Sequence, residues 1–364
     1  MRTETETVKT DIMTDSLNNV NDSLNEGGGR NKAGILENIL EIRDLTVKVN
    51  KNSQSGTILD NINMKIPRGK IIGLVGESGC GKTFLGNTIM GLVPGGRSIV
   101  FENGEVVFND SIKMTGTDIL KLHYNDMRSY RGNRISMIFQ EPMSALNPIY
   151  KVGAQVAETV KNHNPDLSSG EIKKRVINIL KEVGMHDPAA TYEMYPHQLS
   201  GGMRQRIVIA IAAVNNPDLI IADEPTTALD ITISEQILFL LYKIRKNYNS
   251  SIILITHDLG VVANMCDEIY VMYRGTILEH GSVDEVFKSP KNPYTVGLMN
   301  ALPESVARKE SLHVIPGNVP SVFKKSGGCK FHARCFKAAP ECEKNDPPVK
   351  YFSKTHFTCC HLAE

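Results

Sequence analysis

The sequence has no long apolar run and no excess of charge of either sign. No apolar stretch approaches the roughly eighteen residues that a membrane-spanning helix needs, so we expect a chain that does not cross a bilayer by itself. The formal net charge is +1, which gives no general attraction to nucleic acid or to anionic lipid. The first residues contain no apolar core of the kind found in secretory signals. We therefore expect the chain to be made, and to stay, in the cytoplasm.

The composition provides enough apolar residues for a packed core and a length typical of two domains. Hydrophobic residues make up 41% and charged residues 22% of the 364 positions, as in ordinary globular proteins. Residues 1–38 are polar, and we interpret them as a disordered tail because they cannot bury enough apolar surface to offset ordering. Prolines and cysteines become frequent near the C-terminus. We therefore predict a large domain over residues 39–288 and a small one over residues 289–364.

A glycine-rich segment at residues 76–83 is the most informative part of the sequence. Its letters, GESGCGKT, fit the phosphate-binding pattern G-x-x-x-x-G-K-[ST], and they lie between a predicted strand at 70–75 and a predicted helix at 84–92. Glycines let such a loop curl so that backbone N–H groups point at phosphate oxygens. Lys82 would reach the β- and γ-phosphates, and the Thr83 hydroxyl would bind Mg²⁺. The residues expected to hold the nucleotide here are Gly76, Ser78, Gly79, Cys80, Gly81, Lys82 and Thr83.

Three further apolar runs read as buried strands, and each is followed by polar side chains. The runs are residues 134–139, 219–222 and 252–256. The polar residues that follow them are Gln140, then Asp223 with Glu224, and then His257. Near-continuous apolar runs separated by helices predict a parallel sheet covered on both faces. Such sheets bind ligands at the carboxyl ends of their strands, which is where these side chains would lie.

Further strands and helices are predicted from the spacing of apolar residues. Residues 39–49 and 57–66 alternate like paired strands, and the Asn103-Gly104 pair predicts a turn between two short strands within residues 98–108. Helical spacing is present at residues 152–161, 169–183 and 201–214.

The two adjacent carboxylates suit nucleotide hydrolysis. Asp223 ends an apolar run and is the expected partner of Mg²⁺, and Glu224 is placed to act as general base for the attacking water. Taken alone, an Asp-Glu pair is more often a solvated strand end. In a chain that already holds a phosphate-binding segment, the catalytic interpretation is favoured.

A second anion-binding helix start is predicted at Ser200, Gly201 and Gly202. Backbone N–H groups and the serine hydroxyl would point outward there, although an ordinary serine-capped helix has the same letters. Two such helix ends with one phosphate-binding segment are explained by a dimer that holds each nucleotide between two subunits.

With these motifs the chain resembles the nucleotide-binding subunits of ABC transporters over roughly residues 39–290. The matching motifs are Walker A at residues 76–83, the Q-loop glutamine Gln140, the signature at 199–205, Walker B at 219–223, the catalytic carboxylate Glu224, the D-loop at 228–230 and the switch histidine His257. The resemblance implies an α/β fold of the P-loop NTPase type. Its parts would be a RecA-like parallel-sheet core, an antiparallel β subdomain and a helical subdomain, with a small Cys-rich C-terminal domain added here.

The same resemblance implies the ligands and the roles of single residues. ATP and Mg²⁺ would be bound, and the residues serving catalysis would be Glu224, His257 and Gln140. The Mg²⁺ ligands would be Thr83, Gln140 and Asp223. The nucleotide contacts outside the Walker A segment would be Gln140, Asp223, Ser200, Gly201, Gly202 and Asp230. Val49 stands where the family often places an aromatic residue against adenine, so the resemblance says less about the base than about the phosphates.

Finer similarity points to one class of importer. Residues 139–148, residues 292–295 and residues 315–320 are similar to the corresponding segments of dipeptide and oligopeptide importers, with nickel importers as the alternative. The resemblance implies a subunit at the cytoplasmic face of the membrane. Its partners would be a second, non-identical ATPase, two permeases that dock near residues 140–148, and, indirectly, an extracytoplasmic peptide-binding protein.

Two other classes of function fit the sequence less well. A soluble ATPase acting on nucleic acid or ribosomes commonly has two cassettes and a basic stripe, whereas this chain has one cassette and a near-neutral charge. No nucleic-acid partner is therefore expected. A metal- or redox-binding role is predicted only as an added feature of the C-terminal region.

Four cysteines near the C-terminus have the spacing C-x₅-C-x₆-C-x₁₇-C. They are Cys329, Cys335, Cys342 and Cys360, with Cys359 as an alternative fourth member. Structural zinc prefers tighter pairs, and buried cysteine can also act as a small apolar residue. Wide spacing and similarity to peptide-importer ATPases favour a [4Fe–4S] cluster with a structural role.

Overall fold

The segment with the phosphate-binding pattern follows the central strand of a mixed sheet in a computed structural model of the chain. The structure describes residues 37–93, 95–110, 115–301, 315–324 and 327–364. The predicted tail lies outside these residues, apart from residues 37 and 38. The described residues belong to one compact unit, Leu36–Glu364, and the domain boundary expected near Lys288 stays a prediction.

The strands and helices follow the predicted order. The strands are β1 (Asn38–Lys51), β2 (Gln54–Pro67), β3 (Ile71–Val75), β4 (Ile99–Asp110), β5 (Thr115–Asp118), β6 (Ile135–Ile138), β7 (Leu219–Asp223), β8 (Ser251–Thr256), β9 (Glu268–Tyr273), β10 (Thr276–Ser282), β11 (Val349–Tyr351) and β12 (Phe357–Cys359). The first helices are α1 (Lys82–Ile89), α2 (Tyr124–Tyr130), α3 (Pro142–Ala145), α4 (Val152–His163), α5 (Ser169–Glu182) and α6 (Pro188–Glu193). The remaining helices are α7 (Gly201–Ala213), α8 (Ile231–Tyr248), α9 (Leu259–Met265), α10 (Val283–Lys288), α11 (Pro293–Asn300) and α12 (Pro340–Lys344).

The main sheet has the strand order β11-β12-β10-β9-β3-β8-β7-β6. The neighbours β3, β8, β7 and β6 run parallel, as predicted from their apolar runs, and every residue in these four strands is buried. Because parallel strands end at the same edge, the segments that follow them meet there. All the polar residues expected at strand ends lie on this side of the sheet, at the carboxyl ends of the parallel strands.

Apolar side chains of alternate strand positions fill the two faces of this sheet. Ile253 and Ile255 of β8 belong to a cluster with residues of the second sheet, whose strand order is β2-β1-β4-β5. Ile252 and Leu254 belong to the cluster formed by α4, α5, α7 and α8. The sheet is therefore covered on both faces, and only its ends are left for ligands.

The Asn103-Gly104 pair is not the hairpin turn that its letters predict. It lies inside the single strand β4, at a register shift in the pairing with β1. Gly104 has a φ of 93°, and a Cβ there would lie 2.5 Å from the carbonyl oxygen of Arg43. A bulge with close backbone approach needs glycine for the same reason as a tight turn, so the two letters do not distinguish a bulge from a turn.

The C-terminal residues extend the main sheet. Strand β12 pairs antiparallel with β10, so that Glu279 faces Thr358 and His280 faces Phe357. Glu279 is fully buried and accepts hydrogen bonds from the backbone N–H of Lys291 at 2.6 Å and of Asn292 at 3.1 Å. The Nε2 atom of His356 lies 2.9 Å from its carboxylate. One buried acid thus joins β10, the start of α11 and the C-terminal strands.

Replacing this acid should destabilise the protein. Glu279→Ala leaves two backbone N–H groups and one imidazole buried without an acceptor, so we expect the free energy of unfolding to fall by about 3 kcal/mol. Urea unfolding measures the change. Asp284→Ala is the control, since Asp284 is 81% exposed and pairs with Lys288 in the same helix, and it should change stability by less than about 0.5 kcal/mol. Equal effects of the two substitutions would contradict the anchoring role.

Candidate functional site

Residues 76–83 form a curled loop between β3 and α1. Gly76, Gly79 and Gly81 have φ values of 151°, 79° and 110°, which residues with a Cβ rarely adopt. A Cβ at Gly76 would lie 2.1 Å from the carbonyl oxygen of Met272. Ser78 and Gly79 are exposed at the outer part of the loop. The glycines are therefore required by the backbone path as well as by the room a ligand would need.

The ammonium group of Lys82 lies inside this loop. Lys82 is 5% exposed, and its Nζ atom donates to the carbonyl oxygens of Gly76 at 2.7 Å and Glu77 at 3.1 Å. Its third contact is the Sγ atom of Cys80, at 3.7 Å. Burial raises the pKa of the Cys80 thiol, so the cysteine adds no negative charge to the loop. A fixed cation next to exposed backbone is well suited to a polyphosphate.

Asp223 and Thr83 fit a bound Mg²⁺. The carboxylate of Asp223 is 1% exposed and accepts a hydrogen bond from the Thr83 hydroxyl, while burial raises its pKa. Its Oδ1 atom has no hydrogen-bond partner in the described part of the chain. A buried carboxylate oxygen without a partner, next to a hydroxyl, matches the all-oxygen coordination that Mg²⁺ prefers.

Three side chains contact the Glu224 carboxylate: Gln140 and His257, which were predicted to serve catalysis, and Thr227, which was not. Its Oε2 atom accepts hydrogen bonds from Gln140 Nε2 at 2.8 Å and from the Thr227 hydroxyl at 2.9 Å. Its Oε1 atom lies 3.1 Å from His257 Nδ1. The three residues predicted to serve catalysis, Glu224, His257 and Gln140, are thus in direct contact. They come from three different strand ends, 84 and 33 positions apart in the sequence.

The backbone and the charge of Glu224 are both fixed by neighbours. Its φ is 45°, a strained value for a residue with a side chain, and its N–H donates to the Ile255 carbonyl at 2.9 Å. Burial alone would raise its pKa, but the hydrogen bonds from His257 and Thr227 outweigh burial and lower the pKa of Glu224. The carboxylate is therefore ionised at neutral pH, as a general base must be. The role of Gln140 as a Mg²⁺ ligand stays a prediction.

Ser200 and Asp230 both begin helices. The Ser200 hydroxyl accepts from the N–H of Met203 at 3.3 Å at the start of α7, and Asp230 accepts from the N–H of Ile233 at 2.9 Å at the start of α8. Both residues and Gly201 are exposed, and a Cβ at Gly202 would lie 2.7 Å from Ile233. The two helix starts are therefore packed together and face outward. Their contact with nucleotide stays a prediction.

Sequence reasoning missed several residues that support the site. Thr227 lies three residues after Glu224 in a segment that had no assigned role, and only the folded turn brings its hydroxyl to the carboxylate. Tyr294 and Arg334 contact Glu77 of the phosphate-binding segment. Tyr294 lies in a segment singled out by similarity, and Arg334 lies among the C-terminal cysteines, but nothing in the spacing indicated that they reach the loop.

The predicted [4Fe–4S] cluster is wrong. Within the part of the chain that the structure describes, no three histidine, cysteine or acidic side chains come together so that they could hold a metal ion. Burial raises the pKa of the Cys329 and Cys359 thiols to about 11 and that of Cys335 and Cys360 as well. Cys342 and Cys360 are buried, and Cys329 and Cys335 pack against the apolar cluster around Tyr273. These cysteines act as small apolar residues, so the question of Cys359 or Cys360 as fourth ligand falls away.

Known proteins of similar sequence and fold decide the family. The family model for ABC transporters matches residues 59–227, and the model for the C-terminal region of oligopeptide and dipeptide transporters matches residues 278–342. The oligopeptide transport ATP-binding protein AppD of Bacillus subtilis is 39% identical over 329 residues, which cover 90% of this chain and 98% of AppD. The chain belongs to this family of ABC transporter ATPases.

Other members and their solved structures agree. The oligopeptide transport ATP-binding protein OppD of Salmonella typhimurium is 40% identical over 322 residues, covering 88% of this chain and 93% of OppD. Among solved structures, cbiO1 of Clostridium perfringens, part of the ABC transporter complex cbiONQ, has a TM-score of 0.58 and 29% identity over 70% of this chain and 92% of cbiO1. The dimeric ATP-binding cassette MJ0796 with ADP and phosphate has a TM-score of 0.58 and 26% identity over 67% of this chain and 98% of MJ0796.

The family confirms the resemblance inferred from the motifs and the ABC-cassette type of fold. No helix in the described part of this ABC ATPase is long and apolar enough to cross a bilayer.

Glu224→Gln tests the assignment of the base. The amide keeps the size and most hydrogen bonds of the side chain but cannot take a proton from water, so ATP hydrolysis should fall by about 10²–10⁴, while ATP binding is retained. Phosphate release and nucleotide affinity are measured on the assembled transporter. Glu235→Gln is the control, because Glu235 is exposed on the neighbouring helix α8. Turnover near the unaltered rate in Glu224→Gln would rule out this base.

Proposed function

We propose that this chain hydrolyses ATP and thereby drives import of di- or oligopeptides through a membrane transporter. The observation that carries the proposal is the convergence of Gln140, Thr227 and His257 on the Glu224 carboxylate. The substrate class is supported by the relatives, which are named for oligopeptide and dipeptide transport. The nickel alternative is not favoured, since the relatives compared carry peptide names.

The chemistry follows from the positions of these groups. Lys82 and the backbone N–H groups of residues 76–83 would hold the β- and γ-phosphates in place of the carbonyl contacts that Lys82 makes now. When bound by Thr83 and Asp223, Mg²⁺ would neutralise phosphate charge and orient the leaving group. Glu224 would accept the proton of the attacking water, and His257, 3.1 Å from its Oε1 atom, would be at hand for the γ-phosphate.

The Glu224 carboxylate has room to accept a water as a base. Two donors contact its Oε2 atom and one side chain contacts Oε1, whereas a carboxylate can accept about four hydrogen bonds. A water could therefore bind at Oε1 beside His257. Gln140 is the neighbour best placed to turn away when nucleotide enters, because it is exposed and lies between β6 and α3.

A second ATPase subunit would complete the site. Ser200 and Gly201 are exposed at the start of α7, on a helix end suited to bind phosphate. We assign them, with Gly202 and Asp230, to a nucleotide held by a facing subunit. That subunit would be a related but non-identical ATPase. Two permeases and an extracytoplasmic peptide-binding protein would complete a transporter in which this chain lies at the cytoplasmic face of the membrane.

We propose a docking surface for the permeases on both sides of the Q-loop glutamine in the sequence. Phe139, Ile149 and Tyr150 are 41%, 72% and 56% exposed, which is unusual for apolar side chains close together in sequence. The helices α3 and α4 flank them. We propose that these side chains contact the permeases, so that movement at Gln140 is passed to the membrane subunits.

We also propose that residues 289–364 form a small structural region attached to the cassette. Its residues Tyr294, Phe331, Cys329 and Cys335 belong to an apolar cluster with β9 and β10, and its strands extend the main sheet. This region would support the cassette through these contacts.

The isolated chain should hydrolyse ATP slowly, because each site would lack the facing signature residues. We expect turnover to rise by at least about tenfold when the partner ATPase and the permeases are co-expressed. Phosphate release per mole of this chain measures the difference. A monomeric chain that hydrolyses ATP at the rate of the full transporter would contradict the two-subunit site.

Charge on the docking surface should separate hydrolysis from transport. Ile149→Asp places a carboxylate in the proposed contact, so permease binding and peptide uptake should fall by about tenfold or more, while nucleotide binding by the chain is unchanged. Co-purification with the permeases and uptake of a labelled peptide measure both. Tyr124→Ser is the control, because Tyr124 is equally exposed, at 72%, but lies on α2 in another region. Loss of uptake in both variants would argue against a local docking surface.

A further inference from the structure

Arg334 connects the C-terminal region to the phosphate-binding loop. Its Nη1 and Nη2 atoms donate to the two carboxylate oxygens of Glu77 at 2.7 and 2.9 Å. The Arg334 side chain is 5% exposed and that of Glu77 is 28% exposed. A two-bond guanidinium–carboxylate pair of this kind fixes direction as well as distance.

The remaining donors of Arg334 are also used. Its Nε atom donates to the Pro316 carbonyl at 2.9 Å, and Nη2 donates to the Gly317 carbonyl at 3.0 Å. The guanidinium lies 5.9 Å from the centre of the Tyr273 ring. Because it has this many hydrogen-bond partners and little solvent around it, the Arg334 side chain is held in one position. Turning it away from Glu77 would break several of these hydrogen bonds.

Glu77 itself is held at three points. The carboxylate binds Arg334, the backbone N–H donates to the Tyr294 hydroxyl at 2.9 Å, and the carbonyl accepts from Lys82 at 3.1 Å. Two of these three contacts come from residues beyond position 288. The conformation of the first turn of the loop therefore depends on residues that follow the cassette strands in the sequence.

The supporting residues are packed rigidly. The rings of Tyr273, Tyr294 and Phe331 lie within 5.2 Å of one another, centre to centre, and Phe331 begins the short turn that carries Arg334. The same apolar cluster contains Val75, the last residue before the loop. The loop and the residue that clamps it thus share one core.

We propose that Arg334 is a positioning residue for nucleotide binding: it neutralises the Glu77 carboxylate and holds it away from the phosphates. Without Arg334, a carboxylate in the phosphate-binding loop would repel a polyphosphate and be free to compete for the Lys82 ammonium group. The inference rests on the proposed assignment of residues 76–83 to nucleotide phosphates.

Nucleotide affinity of single and double variants of the full chain tests this role. Arg334→Gln keeps a hydrogen-bonding side chain but removes the charge, so the Kd for ATP should rise by about tenfold or more, or about 1.4 kcal/mol. The rise should be smaller for ADP, which carries less charge, and smaller at high salt. Adding Glu77→Gln should restore ATP affinity to within about threefold of the unaltered chain, because no uncompensated carboxylate then remains. Arg334→Lys, which keeps the charge, should lie between.

Titration calorimetry provides the affinities, and thermal unfolding shows that each variant is folded. Arg43→Ala is the control: Arg43 also pairs with carboxylates, those of Glu41 and Glu105, but on the exposed surface of β1, and it should leave the Kd unchanged. A purely structural role predicts weakening that Glu77→Gln does not relieve and that is equal for ATP and ADP. Either that pattern or an unchanged Kd in Arg334→Gln would overturn the inference.

Two further variants keep the outcome decisive. If Arg334→Gln does not fold, Glu77→Gln alone is measured; it should keep or improve ATP affinity, and a tenfold loss would contradict the proposal. Lys82→Ala tests the loop assignment itself, because it should abolish tight ATP binding whatever Arg334 does. Normal binding by Lys82→Ala would overturn the site, whereas lost binding there with no effect of Arg334→Gln would overturn only the role of Arg334.

Discussion

The parallel pairing of four neighbouring strands is the constraint on which the rest of the structure depends. Strands β3, β8, β7 and β6 are fully buried, and their register is fixed by apolar residues that fill both faces of the sheet. A slip of one residue would exchange the two faces and is therefore excluded. Since the strands cannot slip, the segments after them lie at fixed distances, and Glu224, His257 and Gln140 meet without any local motif holding them together.

This arrangement also explains why the catalytic carboxylate can tolerate a strained backbone. Glu224 has a positive φ, yet its N–H bonds to the end of β8 and its oxygens bind groups from three segments. Each contact removes a conformation that would relieve the strain. The packing of the buried strands offsets the strain energy of this backbone conformation, so the site itself needs few apolar residues.

Most of the sheet and most of the site were predictable from the sequence because both depend on local patterns. Buried parallel strands need continuous apolar runs, and phosphate-binding loops need glycine at set positions, so residues 70–83 could be interpreted directly. The bulge at Gly104 could not, because a bulge and a turn make the same demand on the backbone. The cysteine spacing suggested a metal centre, but spacing says nothing of burial, and the folded thiols pack among apolar side chains. Contacts such as Arg334 with Glu77 depend on tertiary packing between distant segments and leave no trace in spacing.

The separation of that pair along the chain has a consequence for synthesis. Arg334 lies 257 positions after Glu77, and the strands that extend the main sheet end close to the C-terminus. A ribosome releases the loop early and its clamp late, since chains emerge from the N-terminus onward. During this interval the first turn of the loop lacks both Tyr294 and Arg334. The nascent cassette therefore acquires its finished phosphate-binding loop only after Arg334 has emerged, long after the loop itself.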